Sequence, residues 1–206
     1  MSEPRGQWLS RVTAVLKGGD FEAELVSSVD GIRIEPLHGQ IAGERAGRAL
    51  HGPWMVQQRA DHPDPAKANF QALDDLANGA TGLTLVCDGS GASAEQLPRI
   101  LDGVALHAVA IRLEGDADAA LRLAEFVSEQ PLDPERLDIS FGLSEPALVK
   151  DLTAQGFRGP FLEADGRSWH EAGCTAAQEL GAVLATGVAH LRALDGGSAA
   201  KPTIPG

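Results

Sequence analysis

Few side chains in this sequence are placed to do chemistry, and they fall into a handful of short stretches. Gly89-Ser90-Gly91 follows an apolar run and precedes a helical one, the arrangement in which backbone amides at a helix start can cradle a phosphate. Asp61-His62-Pro63-Asp64 brings two carboxylates and an imidazole together, which suggests a metal pair. It falls short of a ligand set, because Asp64 just before Pro65 is placed to cap a helix. Asp165-Gly166-Arg167 pairs opposite charges at a strand end, with Arg59 expected nearby if the sheet closes on itself, so that an ion pair plugs the interior. His107 falls within an expected strand and reads as a core histidine, while His170 opens a helix. Cys87 and Cys174 stand alone, so neither a zinc site nor a disulfide framework is expected.

The elements that must position these groups alternate in type. Residues 54–58 read as a strand and the helix after Asp64-Pro65 carries Phe70, Leu73 and Leu76 on one face. Asn78-Gly79 ends it, and residues 82–87 form an apolar run suited to a strand covered on both faces. The same grammar repeats downstream. A helix passes through Leu97, Ile100 and Leu101, followed by a strand over 104–113, a helix over 117–130, a strand over 137–143 and a helix over 146–155. A strand holding Phe161-Leu162 and a long helix over 171–194 complete the series. Five strands alternating with helices predict a parallel α/β architecture.

Residues 1–50 read as an N-terminal helical and extended arm, 51–195 as the α/β domain and 196–206 as a polar tail. In the arm, helical spacing runs over 6–17, Asp20 caps a short helix reaching Leu25, and Val29-Asp30-Gly31 turns into an alternating strand at Ile32. The Gly-, Ala- and Arg-rich stretch 39–50 either touches a partner subunit or folds back on its own domain.

Composition narrows the function. With a net charge of −12, scattered basic residues, no tyrosine and only 4% aromatics, the chain lacks both the cationic face and the stacking platforms of a nucleic-acid binder. The same charge argues against an anionic membrane surface, and no run approaches the ~18 apolar residues of a membrane span. The N-terminus has no apolar segment of signal-peptide type, so a cytoplasmic protein is expected.

Three ordered blocks carry a family likeness. They are Trp8, Leu16-Lys17-Gly18, Asp20-Phe21-Glu22 and Asp30 to Leu37; then Pro53-Trp54, Asn69, Gly79, Gly82-Leu83 and Asp88; then Glu171-Ala172-Gly173, Gln178-Glu179-Leu180, Leu184-Ala185 and Gly187. Together they resemble the methylmalonyl-CoA mutase family. The resemblance implies a (β/α)₈ barrel of TIM type, here incomplete or truncated, since a closed barrel takes eight strands and roughly 250 residues. A family strand–helix unit expected before the segment 161–173 is absent from the sequence.

The same resemblance places the catalytic tyrosine of the family at Arg59 and its histidine at Ser168, so neither reactive group is present. His170 lies two residues beyond the histidine position. The run 168–173 echoes a cobalamin-binding Asp-x-His-x-x-Gly motif without its aspartate. The resemblance therefore implies a small, non-catalytic subunit that forms a heterodimer with a larger catalytic chain, adenosylcobalamin being held by that partner. The alternatives are an isomerase interconverting methylmalonyl-CoA and succinyl-CoA in its own right, and an unrelated phosphate-binding barrel enzyme using Gly89, Ser90 and Gly91.

Overall fold

A computed structural model of the chain describes residues 3–38 and 54–196. The arm begins with α1 (Glu3–Leu16) and α2 (Phe21–Leu25), followed by a hairpin of β1 (Ser27–Val29) and β2 (Ile32–Ile34). Asp20 caps α2 by accepting from the Glu22 amide, as its position predicts. Trp8 meets Phe21 edge-on at 6.2 Å, and Arg5 pairs with Glu35 at 2.6 Å. No side chain described between residues 4 and 38 is buried, and Ile32 is 59% exposed. The hairpin tip reaches the main domain where Thr175 donates to the Asp30 carboxylate. The stretch 39–53 and the tail beyond 196 lie outside the described residues, so the expectations for 39–50 are not addressed there.

The main domain is a parallel sheet of four strands, β3 (Gln57–Ala60), β4 (Gly82–Cys87), β5 (Ala110–Gly115) and β6 (Ile139–Ser140), arranged in chain order. Each connection carries helix, in α3 (Pro65–Ala77), α4 (Leu97–Ile100) and α5 (Ala117–Ser128), as parallel pairing requires. The register sets Gln58, Leu83, Ile111 and Ile139 side by side, and one residue on, Arg59, Thr84, Arg112 and Ser140. Side chains alternate across a strand, so the face of Leu83, Ile111 and Ile139 is mainly apolar, with Gln58 exposed at its β3 edge, and the other carries Arg59, Thr84, Arg112 and Glu114 with Val86 among them. The apolar face packs on small residues of the helices, Ala68 and Ala72 from α3 and Ala119, Ala120 and Ala124 from α5. Leu83, Leu85, Leu113 and Leu123 are fully buried between them.

Helix starts follow the sequence closely. Asp64 accepts from the Ala66 amide at 2.9 Å with Pro65 in the first turn, and Asp116 accepts from the Ala119 amide at 3.0 Å. Replacing Asp116 by Ala is expected to cost about 1 kcal/mol, read as a lower urea midpoint with an unchanged denaturant slope.

Several boundaries differ from expectation. The first strand lies at Gln57–Ala60 rather than 54–58, because Thr81 ties down the residues before it: its hydroxyl accepts from the Val56 amide at 2.9 Å. Residues 104–109 form turns before β5, which leaves His107 exposed rather than in a core strand. The helix expected over 171–194 begins only at α8 (Ala176–Leu194); a separate short helix, α7 (Arg167–Glu171), precedes it, and the chain turns between the two where Gly173 takes φ 84°. Thr175 then restarts the helix with a capping box to Gln178.

The fifth strand is reduced to one bridge between Leu143 and Leu162, reinforced by Leu143 N–H to Phe161 O at 2.9 Å. Between them, α6 (Val149–Ala154) occupies part of the expected 146–155 helix, after a 3₁₀ turn at Pro146–Leu148. Gly142 is required here, since it sits at φ 58° against the Leu113 carbonyl, where a side chain has no room. The fold is thus a parallel α/β sheet, and among the described residues it stays open instead of closing as a barrel.

Candidate functional site

The polar face of the sheet holds one connected group of charges. Arg59 comes from the third position of β3, Arg112 and Glu114 from alternate positions of β5, and Glu163 and Asp165 from the segment paired with Leu143. Arg167 opens α7. The cluster lies toward the carboxyl ends of the parallel strands, where sites in such sheets form.

Glu114 is its centre. Its side chain is only 7% exposed, and its Oε2 accepts from Arg59 Nη1 at 2.6 Å and from Arg167 Nη1 at 2.7 Å. Arg167 also grips Asp165, with Nη2 2.7 Å and Nε 2.8 Å from Oδ2. Arg59 reaches Asp61 at 3.4 Å, and Arg112 pairs with Glu163 while its Nε is buried without a partner. The approach of Arg59 to the Asp165–Arg167 pair is therefore realised, through a third residue that the sequence reading did not single out. The alternation Ile111, Arg112, Leu113, Glu114 was the available signal, since it puts two charges on the face opposite two apolar side chains.

Electrostatics holds the centre of the cluster ionised. Burial pushes the Glu114 carboxyl up, but hydrogen bonds from Arg167 and Arg59 outweigh this and hold it below the ordinary range. Asp165 is lowered by its hydrogen bond from Arg167, and the Arg167 guanidinium is raised by Asp165 and Glu114. Glu114 and Asp165 are thus anions, and Arg59 and Arg167 cations, at neutral pH. Such carboxylates have no proton to give at neutral pH, and with pKa values held below the ordinary range and oxygens occupied by guanidinium groups they are weak bases.

The other candidates are placed apart from one another. Ser168 is exposed on α7, and His170 Nδ1 lies 3.2 Å from Glu179 at the surface of α8. A carboxylate on one ring nitrogen is a common partner of a metal-bound imidazole, but here the ring is exposed and the motif's aspartate is absent. Ser90 turns its amide (3.0 Å) and hydroxyl (2.6 Å) onto the Asp88 carboxylate, so the loop of Gly89, Ser90 and Gly91 closes on an anion of its own. Gly91 is there for space, since a Cβ on it would run into the Val86 carbonyl oxygen. His62 accepts from the Asp64 amide at 2.9 Å, and among the described residues no group of three or more His, Cys, Asp or Glu could hold a metal ion. Cys87 is a buried free thiol, pushed up to about 11 by desolvation, and Cys174 is a half-buried one. No helix among the described residues is long and apolar enough to cross a membrane.

Fold and site together define, among the described residues, a parallel α/β sheet with a connected group of arginine–carboxylate pairs on one face. No family model matches the chain. It is 39% identical over 163 residues to the methylmalonyl-CoA mutase small subunit of Streptomyces virginiae, an alignment taking in 69% of this chain and 26% of that protein. It is 27% identical over 240 residues to proteins named probable methylmalonyl-CoA mutase small subunit in Mycobacterium bovis and Mycobacterium tuberculosis, covering 94% of this chain and 39% of theirs. The chain is a small-subunit-like relative of the methylmalonyl-CoA mutases, and it spans between about a quarter and two fifths of the length of these curated relatives. The 240 matched positions exceed the 206 residues of the whole chain, so the mycobacterial proteins hold, within the matched span, residues that have no counterpart here.

Proposed function

We propose that the chain is a structural, non-catalytic partner of a larger adenosylcobalamin-dependent acyl-CoA mutase subunit in the cytoplasm, and that its sheet is part of a reduced TIM-type barrel. The observation that carries this reading is the commitment of Arg59 to Glu114 at 2.6 Å. By the family resemblance this position belongs to a reactive tyrosine, and here a permanently charged group is tied into the wall of the sheet. Ser168, at the resemblance's histidine position, offers no imidazole and faces solvent. The small-subunit names of the relatives support a larger partner, and consecutive strand order without a reversal supports barrel winding over a doubly wound sheet.

The N-terminal arm is the surface we assign to that partner, because residues 4–38 bury none of their own side chains. Co-expression with the large subunit of a mutase from a related bacterium tests this. A chain lacking residues 1–38 is expected to keep the stability of the main domain yet lose co-purification with the large subunit. Unimpaired co-purification counts against the arm, and no co-purification of the full chain counts against the partner reading itself. The isolated chain supplied with adenosylcobalamin is expected to give no methylmalonyl-CoA turnover. Measurable turnover makes it an enzyme and refutes the proposal.

A further inference from the structure

The N-terminal arm is held together from within and leans on the rest of the molecule at its hairpin tip. Arg5 joins α1 to Glu35 and to the Leu37 carbonyl, Arg33 joins β2 to Glu22, and Trp8 meets Phe21. None of α1, α2, β1 or β2 packs broadly on an element of the main domain, and no side chain described between residues 4 and 38 is buried. With so little surface shared, apolar burial does little to fix where the arm sits. A polar contact has to.

That contact is built into the turn between β1 and β2. Asp30 and Gly31 take φ 52° and 75°, the two left-handed residues of a tight hairpin turn for which Asp-Gly is a preferred pair. The turn presents the Asp30 carboxylate to the Thr175 hydroxyl, which donates to it at the protein surface. Thr175 is the N-cap of the 19-residue α8, so the carboxylate also lies at the positive end of a helix dipole. The same hydroxyl accepts from the Gln178 amide at 3.4 Å, and Gln178 Oε1 accepts from the Thr175 amide at 3.0 Å. This capping box is complete without Asp30, so the contact can open while α8 stays wound.

We infer that Asp30 and Thr175 form a releasable catch, and that the arm swings as one body between a position docked on the start of α8 and a free one. A solvent-exposed contact of this kind favours the docked position by roughly fivefold at most, which leaves about one molecule in six free. Release redirects the arm and leaves its fold intact, because Arg5, Arg33 and Trp8 hold it from within. The catch belongs to the isolated chain, so the inference stands apart from the proposed mutase partner.

NMR relaxation of the backbone amides of the full chain tests it. In the wild type, amides of residues 20–34 are expected to relax nearly as those of the sheet do. Thr175→Asp keeps a good N-cap but sets two carboxylates against each other, so the arm amides should reorient faster than the sheet while the urea midpoint of the main domain is unchanged. Asp30→Gly removes the carboxylate without touching α8 and should release the arm likewise. Adding Asp30→Asn to Thr175→Asp restores donor and acceptor with their places exchanged, in a residue that also accepts the left-handed turn, and should bring the arm back to the motion of the sheet. An arm already independent in the wild type, one that stays docked in Thr175→Asp or Asp30→Gly, or one not recovered in the double variant overturns the inference.

Discussion

Phe141→Ala is expected to destabilise the domain by about 3–5 kcal/mol, the range for emptying an aromatic site in a closed core. Phe141 is 0% exposed and meets Phe157 edge-on at 5.0 Å and Phe161 nearly parallel at 5.9 Å. Phe161 belongs to the segment that replaces a fifth strand, which has few backbone hydrogen bonds to the sheet. Its position therefore depends on ring packing more than on a ladder. Losing the Phe141 ring should free this segment first and displace Glu163, Asp165 and Arg167, which follow it. Amide exchange at Leu143 and Glu163 is expected to rise beyond the loss in global stability. Phe141→Leu fills most of the volume and should lose less. Equal protection changes across all strands would mean that the segment is no weaker than the rest.

Local rules were the most readable part of this fold. Asp20, Asp64 and Asp116 each stand one residue before a helix, and each accepts from an amide of its first turn. The apolar run at 82–87 is buried along its whole length, as its lack of alternation implied. What escaped the sequence was set by contacts from afar. Thr81 decides where β3 begins, from 25 positions away. His107 sits between apolar residues that pattern as strand, yet the chain turns there before entering the sheet. The fifth strand keeps its residues but has only one bridge. In the site, Arg59 and Asp165-Gly166-Arg167 were visible as charges at strand ends. Glu114 was not, because an acid beside a glycine at the end of an apolar strand looks like the start of a loop. Only the register, which aligns Glu114 with Val86 and sets the polar face, shows it to be buried.

Glu114→Gln tests that buried centre. The amide keeps the shape but removes the charge on which Arg59 and Arg167 converge. Loss of a buried ion-pair partner costs about 3–5 kcal/mol when the remaining charge stays buried. Here both arginines are roughly half exposed, 46% and 51%, and can turn to water, so a loss of about 2 kcal/mol at pH 7 is expected. The pH dependence has a definite sign. The folded-state pKa of Glu114 is below its ordinary value, so its contribution is complete above the unfolded pKa of about 4.3 and disappears as pH falls through the folded value. Urea midpoints of wild type and Glu114→Gln should thus differ most at neutral pH and converge below about pH 4. Asp165, also lowered, adds to the acid loss in both proteins and does not cancel the convergence. Arg59→Met should cost less than Glu114→Gln, and little more once Gln occupies position 114, since the two changes remove one interaction. A constant gap down to pH 3, or additive losses, would mean that Glu114 stabilises the sheet by its shape and not by its charge.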